Sequence, residues 1–413
     1  MAESAEPLEP DTEYVRLKPS TMVAGGAALA RDETGRVVFV EGALPGEEVT
    51  ARLTESRTDF ARASTIAVLE ASPDRIVPPC SAVEAGCGGC TWQHISPDAQ
   101  RRLKSQIVVD TLRRIGRFAE PPVPSIVTGD GPALRTTARL AVSPAGRAGY
   151  RRRRGAEAVE TDACLASHPL LAELITVGRY PGRTEVLMRV GVASGERLVR
   201  GRPSGGAGAV RVPDGVRVVG DDESAAVHET VADRSFQISV DSFFQPGPVA
   251  AAGLIDAVSA AIDGALGAGD HLVDAYAGVG LFASVLGAAT KARVTAIESD
   301  GSAVADARVN LADIEAKIVG SDVGRWRPRR GDRPIDVVVA DPPRPGLGRP
   351  GVATVLAVRS ARVVLVSCDP ASFARDAALL RDGGYNLETV ALVDAFPHTF
   401  HVEIVSRFDL PGN

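Results

Sequence analysis

The stretch from Arg362 to Pro370 reads RVVLVSCDP, an apolar run that ends in a cysteine, an acid and a proline. Val363 to Ser367 carry the pattern of a strand buried on both faces, as in a parallel sheet. Pro370 stops the strand, because it has no N–H to give to a ladder. In open α/β sheets chemistry gathers at the carboxyl ends of the strands, which makes Cys368 a candidate nucleophile. A single thiol in an apolar setting is more often core filling. The other reactive residues of the chain decide between these readings.

Two acids are placed in the same way. Asp274 follows an apolar run and opens DAYAGVGLFA (274–283), where Gly278 and Gly280 let the backbone approach a ligand at a helix N-terminus. The spacing also satisfies the dinucleotide fingerprint G-x-G-x-x-A, with Glu298 20 residues after Gly278, where a ribose-binding acid belongs. A pyrophosphate would be repelled by Asp274, whereas the cationic methionine end of S-adenosylmethionine would be held by it. Asp341 opens DPPRPG (341–346), a carboxylate and a rigid loop over the same cleft. Near the C-terminus, DAFPHTFHVE (394–403) sets Glu403 in a late strand. His398, His401 and Glu403 are residue types of a metal site, but at a loop–strand junction they more often serve packing, substrate contact or proton transfer.

Three further thiols, Cys80, Cys87 and Cys90, fall within eleven residues among wrapping glycines, and Cys164 lies far downstream. In a reducing compartment such a set points to metal rather than disulfides. Zinc or an iron–sulfur cluster would each satisfy four thiolates.

The rest of the chain supplies the elements that must hold these groups. A length of 413 residues suits two or three domains, and 45% hydrophobic with 24% charged residues is a globular composition. No apolar run approaches the ~18–20 residues of a membrane span, and the acidic N-terminus is no secretory signal, so a cytoplasmic protein is expected. The net charge of −6 requires that any contact with nucleic acid use local basic patches.

Residues 1–13 read as a frayed tail. From 14 to 70, short β-rich runs (37–40, 48–53, 61–68) alternate with glycine turns, suggesting a five-stranded barrel of the OB type, a frequent binder of single-stranded nucleic acid. Residues 97–117 form an amphipathic helix, with Leu103, Ile107, Val108, Leu112 and Ile115 on one face. Arg101, Arg102, Lys104, Arg113 and Arg114 make up the other. The run YRRRRG (150–155) is either a solvated loop or a phosphate site. Residues 185–240, with a glycine-rich loop at 205–208, complete a central region. After Asp241 a helix (249–266) and strands at 271–275, 293–297, 335–340 and 362–367 alternate with helical stretches, the pattern of a doubly wound sheet.

Together these pieces resemble the bacterial RNA uracil-5-methyltransferase family, in its TRAM-containing, iron–sulfur branch that acts on 23S ribosomal RNA. The residues that carry the resemblance are the four clustered cysteines, Phe243-Phe244-Gln245, DAYAGVG, DPPRPG, VSCDP and FPHTFHVE, spread from about residue 14 to the end. The resemblance implies an α/β fold. A Rossmann-like class I methyltransferase domain (241–413) would follow an OB-like TRAM barrel (14–70) and a central α+β iron–sulfur domain (71–240). It implies that Cys80, Cys87, Cys90 and Cys164 hold a 4Fe-4S cluster. Gln245, Tyr276, Glu298 and Asp341 would line the S-adenosylmethionine pocket beside Gly278 and Asp274, with Glu298 on the ribose hydroxyls and Asp322 on the adenine side. Cys368 would add to carbon 6 of a flipped-out uridine, making carbon 5 nucleophilic, and Glu403 would remove the carbon 5 proton. The implied partner is 23S ribosomal RNA, with transfer RNA second; a monomer is expected, without a membrane.

The chain also departs from the family's pattern. Six residues rather than five separate Cys80 from Cys87, Ala277 stands where a cysteine is common, and Leu281 where a polar residue is common. Asp369 replaces an asparagine, and its charge is expected to raise the thiol pKa of Cys368 and oppose thiolate formation. Three other readings compete. An exocyclic-nitrogen methyltransferase would not need Cys368 or Glu403. A non-catalytic RNA-binding homologue would keep the fold alone. A nicotinamide oxidoreductase leaves the cysteine set and the VSCDP and FPHTFHVE motifs without a role.

Overall fold

The computed structural model describes residues 13–132, 134–205, 208–328 and 334–412. Residues 1–12 of the expected tail and positions 206–207 of the glycine-rich loop lie outside them.

Apolar–polar alternation over the first seventy residues yields one sheet of six strands rather than the expected five. Its order is Tyr14–Leu17, Glu48–Ser56, Phe60–Glu70, Val37–Glu41, Ala28–Arg31 and Thr21–Met22. Val38, Val40, Val49, Ala51, Ala61 and Ala63 point to one side and are all fully buried. Register shifts at three places between the two longest strands add local twist and bend them around that core. Trp92 and Ile95, from the cysteine-bearing segment, close it. The Trp92 indole donates to the Gly26 carbonyl at 3.1 Å.

The helix Pro97–Arg114 starts on proline, whose missing N–H costs nothing at a first turn. It is not amphipathic in the simple sense expected from sequence, because it is covered on two sides. Ala99 and Ile107 belong to the N-terminal core, Val108 and Leu112 to a core of the C-terminal sheet. Lys104, expected on the solvent face, is 1% exposed. Its ammonium reaches Asp394 at 3.2 Å and the Phe396 carbonyl at 2.9 Å. A lysine can lie there because its stem is apolar and its head meets a carboxylate.

The C-terminal sheet has eight strands in the order Ala316–Gly320, Arg293–Glu298, His271–Ala275, Val337–Ala340, Arg362–Ser367, Glu403–Asp409, Asn386–Val393 and Ser125–Val127. The first five are parallel, and Glu403–Asp409 runs antiparallel to Arg362–Ser367. Period two sorts each strand between two helical layers. Val364 and Val366 face the layer of Pro248–Ile262, Leu281–Thr290 and Gly301–Asn310. Val363 and Leu365 face Gly348–Val358, Pro370–Asp382 and Pro97–Arg114. Burial of each such side chain is worth about 1.5–3 kcal/mol. The edge strand Ser125–Val127 and the helix Pro97–Arg114 come from the region read as central, so the C-terminal unit draws on residues well before 241.

Candidate active site

The parallel strands end along one edge of the sheet, and four of them deliver a reactive residue there. Tyr276 comes directly after His271–Ala275, Glu298 closes Arg293–Glu298, Asp341 comes directly after Val337–Ala340 and Cys368 directly after Arg362–Ser367. The ladder holds these ends level, since Ala275 pairs Ala340 and Ala340 pairs Leu365. All four line a cavity of about 720 Å³, which Gln245, Gly278, Asp322 and Glu403 line as well. Tyr276 has φ 64°, a left-handed backbone that a bulky residue adopts only under constraint.

Asp274 is the exception among the expected site residues. It is fully buried beneath the loop and is not part of the cavity wall. One carboxyl oxygen accepts from the Ala283 N–H at 2.8 Å and the other has no partner among the described residues. Burial pushes this carboxyl up to about 8, against the Ala283 hydrogen bond. The strand tip turns its side chain toward the first turn of Leu281–Thr290, where free N–H groups attract it, and not toward a ligand.

Glu298 is held in place by the backbone. Gly278 N–H donates to one oxygen at 2.8 Å, and the amides of Ser299 and Asp300 donate to the other at 2.6 and 2.7 Å. Gln245 donates to Asp341 at 3.2 Å. Burial pushes the Asp341 carboxyl up to about 7, with the Gln245 bond opposing. Glu403, 6% exposed, is raised well above the usual carboxylate range by burial and then by Asp341. The Cys368 thiol is pushed up to about 11 by burial, then by Glu403 and Asp341. Arg344 opposes these effects, and among the described residues it is the only lysine or arginine on the cavity wall.

Asp369 is not among the leading groups that raise the thiol, contrary to expectation. Its carboxylate caps Pro370–Asp382, accepting from the amides of Ala371 at 3.0 Å and Ser372 at 2.8 Å. The charge faces a helix N-terminus, where it is stabilising, instead of the sulfur.

His398 and His401 have different partners, and among the described residues they form no metal set with Glu403. His401 lies within hydrogen-bonding distance of Arg344, with Nδ1 and the guanidinium 3.0 Å apart. Burial lowers its pKa to about 4, so the ring is neutral and accepts. His398 donates its backbone N–H to Gln100 at 2.7 Å, and its carbonyl accepts from Trp92 at 2.8 Å. The 394–401 loop is thus anchored to the helix Pro97–Arg114 and to the cysteine-bearing segment.

Comparison with known proteins agrees with this geometry. Residues 19–66 match the TRAM domain, and residues 331–406 match the tRNA (uracil-5-)-methyltransferase family. An uncharacterized RNA methyltransferase of Streptomyces avermitilis is 37% identical across 92% of this chain and 95% of its own. A 23S rRNA (uracil(1939)-C(5))-methyltransferase of Aeromonas salmonicida is 31% identical across 91% and 92%. The chain belongs to the RNA uracil-5-methyltransferase family. Among solved structures, the tRNA (uracil-54, C5)-methyltransferase of Pyrococcus abyssi, in complex with S-adenosyl-L-homocysteine, shares the fold. It superposes with a TM-score of 0.71 over 95% of this chain and 100% of its own, at 23% identity. Membership sets aside the nicotinamide reading.

Among the described residues no three His, Cys, Asp or Glu side chains stand in a metal-holding arrangement. The thiols are nonetheless neighbours: Cys80 and Cys164 each raise Cys87, and Cys87 and Cys164 raise Cys90, both thiols being raised chiefly by burial. Cys164 lies 3.2 Å from the Ser167 hydroxyl. The arginine run is tied to their loop: Gly88 donates to the Arg151 carbonyl and Arg153 reaches the carbonyls of Cys87 and Cys90.

Sequence reasoning gave no role to Arg344 or Phe396, both on the wall of the reactive cavity. The signal for Arg344 is present in DPPRPG, since a cation just past a buried acid, on a proline-stiffened loop, has few places to go.

Proposed function

We propose that this enzyme forms 5-methyluridine in RNA, with Cys368 as nucleophile and Glu403 as base, through a covalent adduct at carbon 6 of the uracil. The observation that carries this reading is one cavity lined by Cys368, Glu403 and Asp341 together with Gln245, Tyr276 and Glu298. S-adenosylmethionine supplies the methyl group, and its sulfonium suits a wall of carboxylates. The Cys368 thiolate adds to carbon 6, and the displaced π electrons make carbon 5 a nucleophile toward the methyl. After methyl transfer Glu403 takes the carbon 5 proton, the sulfur–carbon 6 bond breaks and the thiolate returns. Arg344 stabilises negative charge on Cys368 and on Glu403, which must both be ionised in turn. Asp341, bonded to Gln245, sits where it can orient the ring. Glu298 serves the ribose hydroxyls, and Asp322 the adenine side.

The favoured substrate is 23S ribosomal RNA, by analogy with the Aeromonas relative; transfer RNA is the second reading, by analogy with the Pyrococcus one. Incubating unmodified ribosomal and transfer RNA with methyl-labelled S-adenosylmethionine distinguishes them. Label in 5-methyluridine that disappears in Cys368→Ala is the expected result. Label in an exocyclic amine that survives in Cys368→Ala would replace this function with nitrogen methylation.

The four cysteines are soft donors of the type that an iron–sulfur cluster takes, close enough to feel one another's charge. No step of the reaction above passes through such a cluster. The division of the sequence into 14–70, 71–240 and 241–413 is proposed with it, the first unit overlapping the TRAM match at 19–66 and the second lending Pro97–Arg114 and Ser125–Val127 to the C-terminal sheet.

A further inference from the structure

Residues 394–401 form a wall with cavities on either side. Phe396 and His401 line the cavity of Cys368 and Glu403. Phe400 lines another, of about 330 Å³, between Gly25, Gly26 and Gly42 on one side and Arg151 to Arg154 on the other. The rings of Phe400 and His401 are neighbours, with centroids 4.4 Å apart. The two cavities are therefore separated by this pair of adjacent rings.

Three features equip the second cavity to hold a nucleotide. Gly26 has φ +85°, and a Cβ there would come within 2.7 Å of Phe400, so only glycine lets that ring seat against the N-terminal sheet and form the cavity wall. The Thr91 hydroxyl, on the wall, is buried and has no partner among the described residues. Arg152 and Arg154 line it with exposed guanidiniums, paired with exposed Glu157 at 3.5 Å and Glu41 at 2.5 Å. Surface pairs of this kind are weak, and a phosphate can replace the carboxylate in them. The arrangement is an aromatic platform beside basic groups, in a chain whose net charge is −6.

Resting on the RNA reading above, we propose that this cavity binds the nucleotide adjoining the target uridine. Its base lies against Phe400 and its phosphate meets Arg152 and Arg154. A flipped uridine enters the reactive cavity, and the strand continues past His401 and Phe400 onto the face of the N-terminal sheet. The Phe400 ring gives the subsite tolerance for any base, since every base has a stacking face.

The test is an equilibrium one and needs no methyl transfer. A fluorescein-labelled RNA hairpin with a seven-uridine loop is bound to the full-length protein and read by anisotropy. Each loop nucleotide is made abasic in turn, against wild type, Phe400→Ala and Gly26→Ala. One abasic position should weaken wild-type binding about 5- to 150-fold, the range of base–aromatic stacking, yet leave both variants unaffected. Arg152→Ala should lower the salt dependence of binding by the share of about one phosphate. Abasic penalties that remain in full in Phe400→Ala at every position would overturn the subsite, as would a hairpin that no abasic position weakens. A failure to label 5-methyluridine, with the coupling to Phe400 intact, would instead indict the reaction and leave the subsite standing.

Discussion

Cys368 sits in a cavity that works against its ionisation, and this sets the pH dependence of the enzyme. Burial, Glu403 and Asp341 push the thiol up to about 11, so the thiolate fraction of the free enzyme rises as pH rises toward that value. The rate constant kcat/KM should therefore climb from pH 7 to pH 9. Arg344→Gln removes the opposing charge, raises the thiol further and should lower kcat/KM at pH 7.5 by about tenfold per unit of displacement, with partial recovery at higher pH. An unchanged pH profile in that variant would remove Arg344 from the ionisation of Cys368. Glu403→Gln should cut kcat by about 10²- to 10⁴-fold and leave protein–RNA adduct on a denaturing gel, because the last proton has no acceptor. Asp274 makes a prediction about stability alone. Its carboxyl rises from 3.8 to about 8 on folding, so the folded state keeps a proton that the unfolded state has lost. Stability is full below about pH 4 and falls as pH rises toward 8. Asp274→Asn can keep the acceptor for Ala283, and its Tm should decline less over that window.

At the scale of elements, two helix contacts decide how the site is held. Asp369 caps Pro370–Asp382, so Asp369→Ala should cost about 1 kcal/mol of stability and Asp369→Asn little. Both should methylate within a few-fold of wild type, because the charge is turned away from the sulfur. A large rate increase in Asp369→Asn would restore the view that this acid impedes the nucleophile. The pair of Lys104 and Asp394 fixes the 394–401 loop to Pro97–Arg114. Lys104→Met leaves Asp394, whose side chain is 11% exposed, with only Arg101 at 3.4 Å among the described residues, and should destabilise by about 3–5 kcal/mol in denaturant unfolding. Neither contact was legible from periodicity. The cysteine–aspartate–proline ending marks the helix start, but only the fold says which way a capping carboxylate turns.

At the scale of the molecule, the N-terminal sheet, the cysteine-bearing segment and the catalytic sheet meet along one loop. Trp92 bonds to both Gly26 and His398, and Phe400 packs onto the N-terminal core. A change in the cysteine loop should thus reach the reactive cavity through residues 394–401. Purified anaerobically, the wild type should contain iron and be coloured if the four thiols hold a cluster. Cys87→Ser should lose both the iron and, at equal S-adenosylmethionine affinity, RNA binding. Colourless wild-type protein with full RNA affinity would remove the cluster from the proposal.

The parallel core strands and the residues at their ends were legible in the chain before any fold was known. Runs such as Val363–Ser367 can be buried only between two layers, and reactive residues at strand ends must converge when the ladder is in register. The family was legible too, through motifs scattered over the whole chain. Direction and company were not. Asp274 turned to a helix N-terminus, Lys104 turned inward because a second layer and Asp394 awaited it, and Ser125–Val127 crossed to the far edge of the catalytic sheet. Each depends on partners hundreds of residues away or on the orientation of one side chain, and a local pattern carries no information about either.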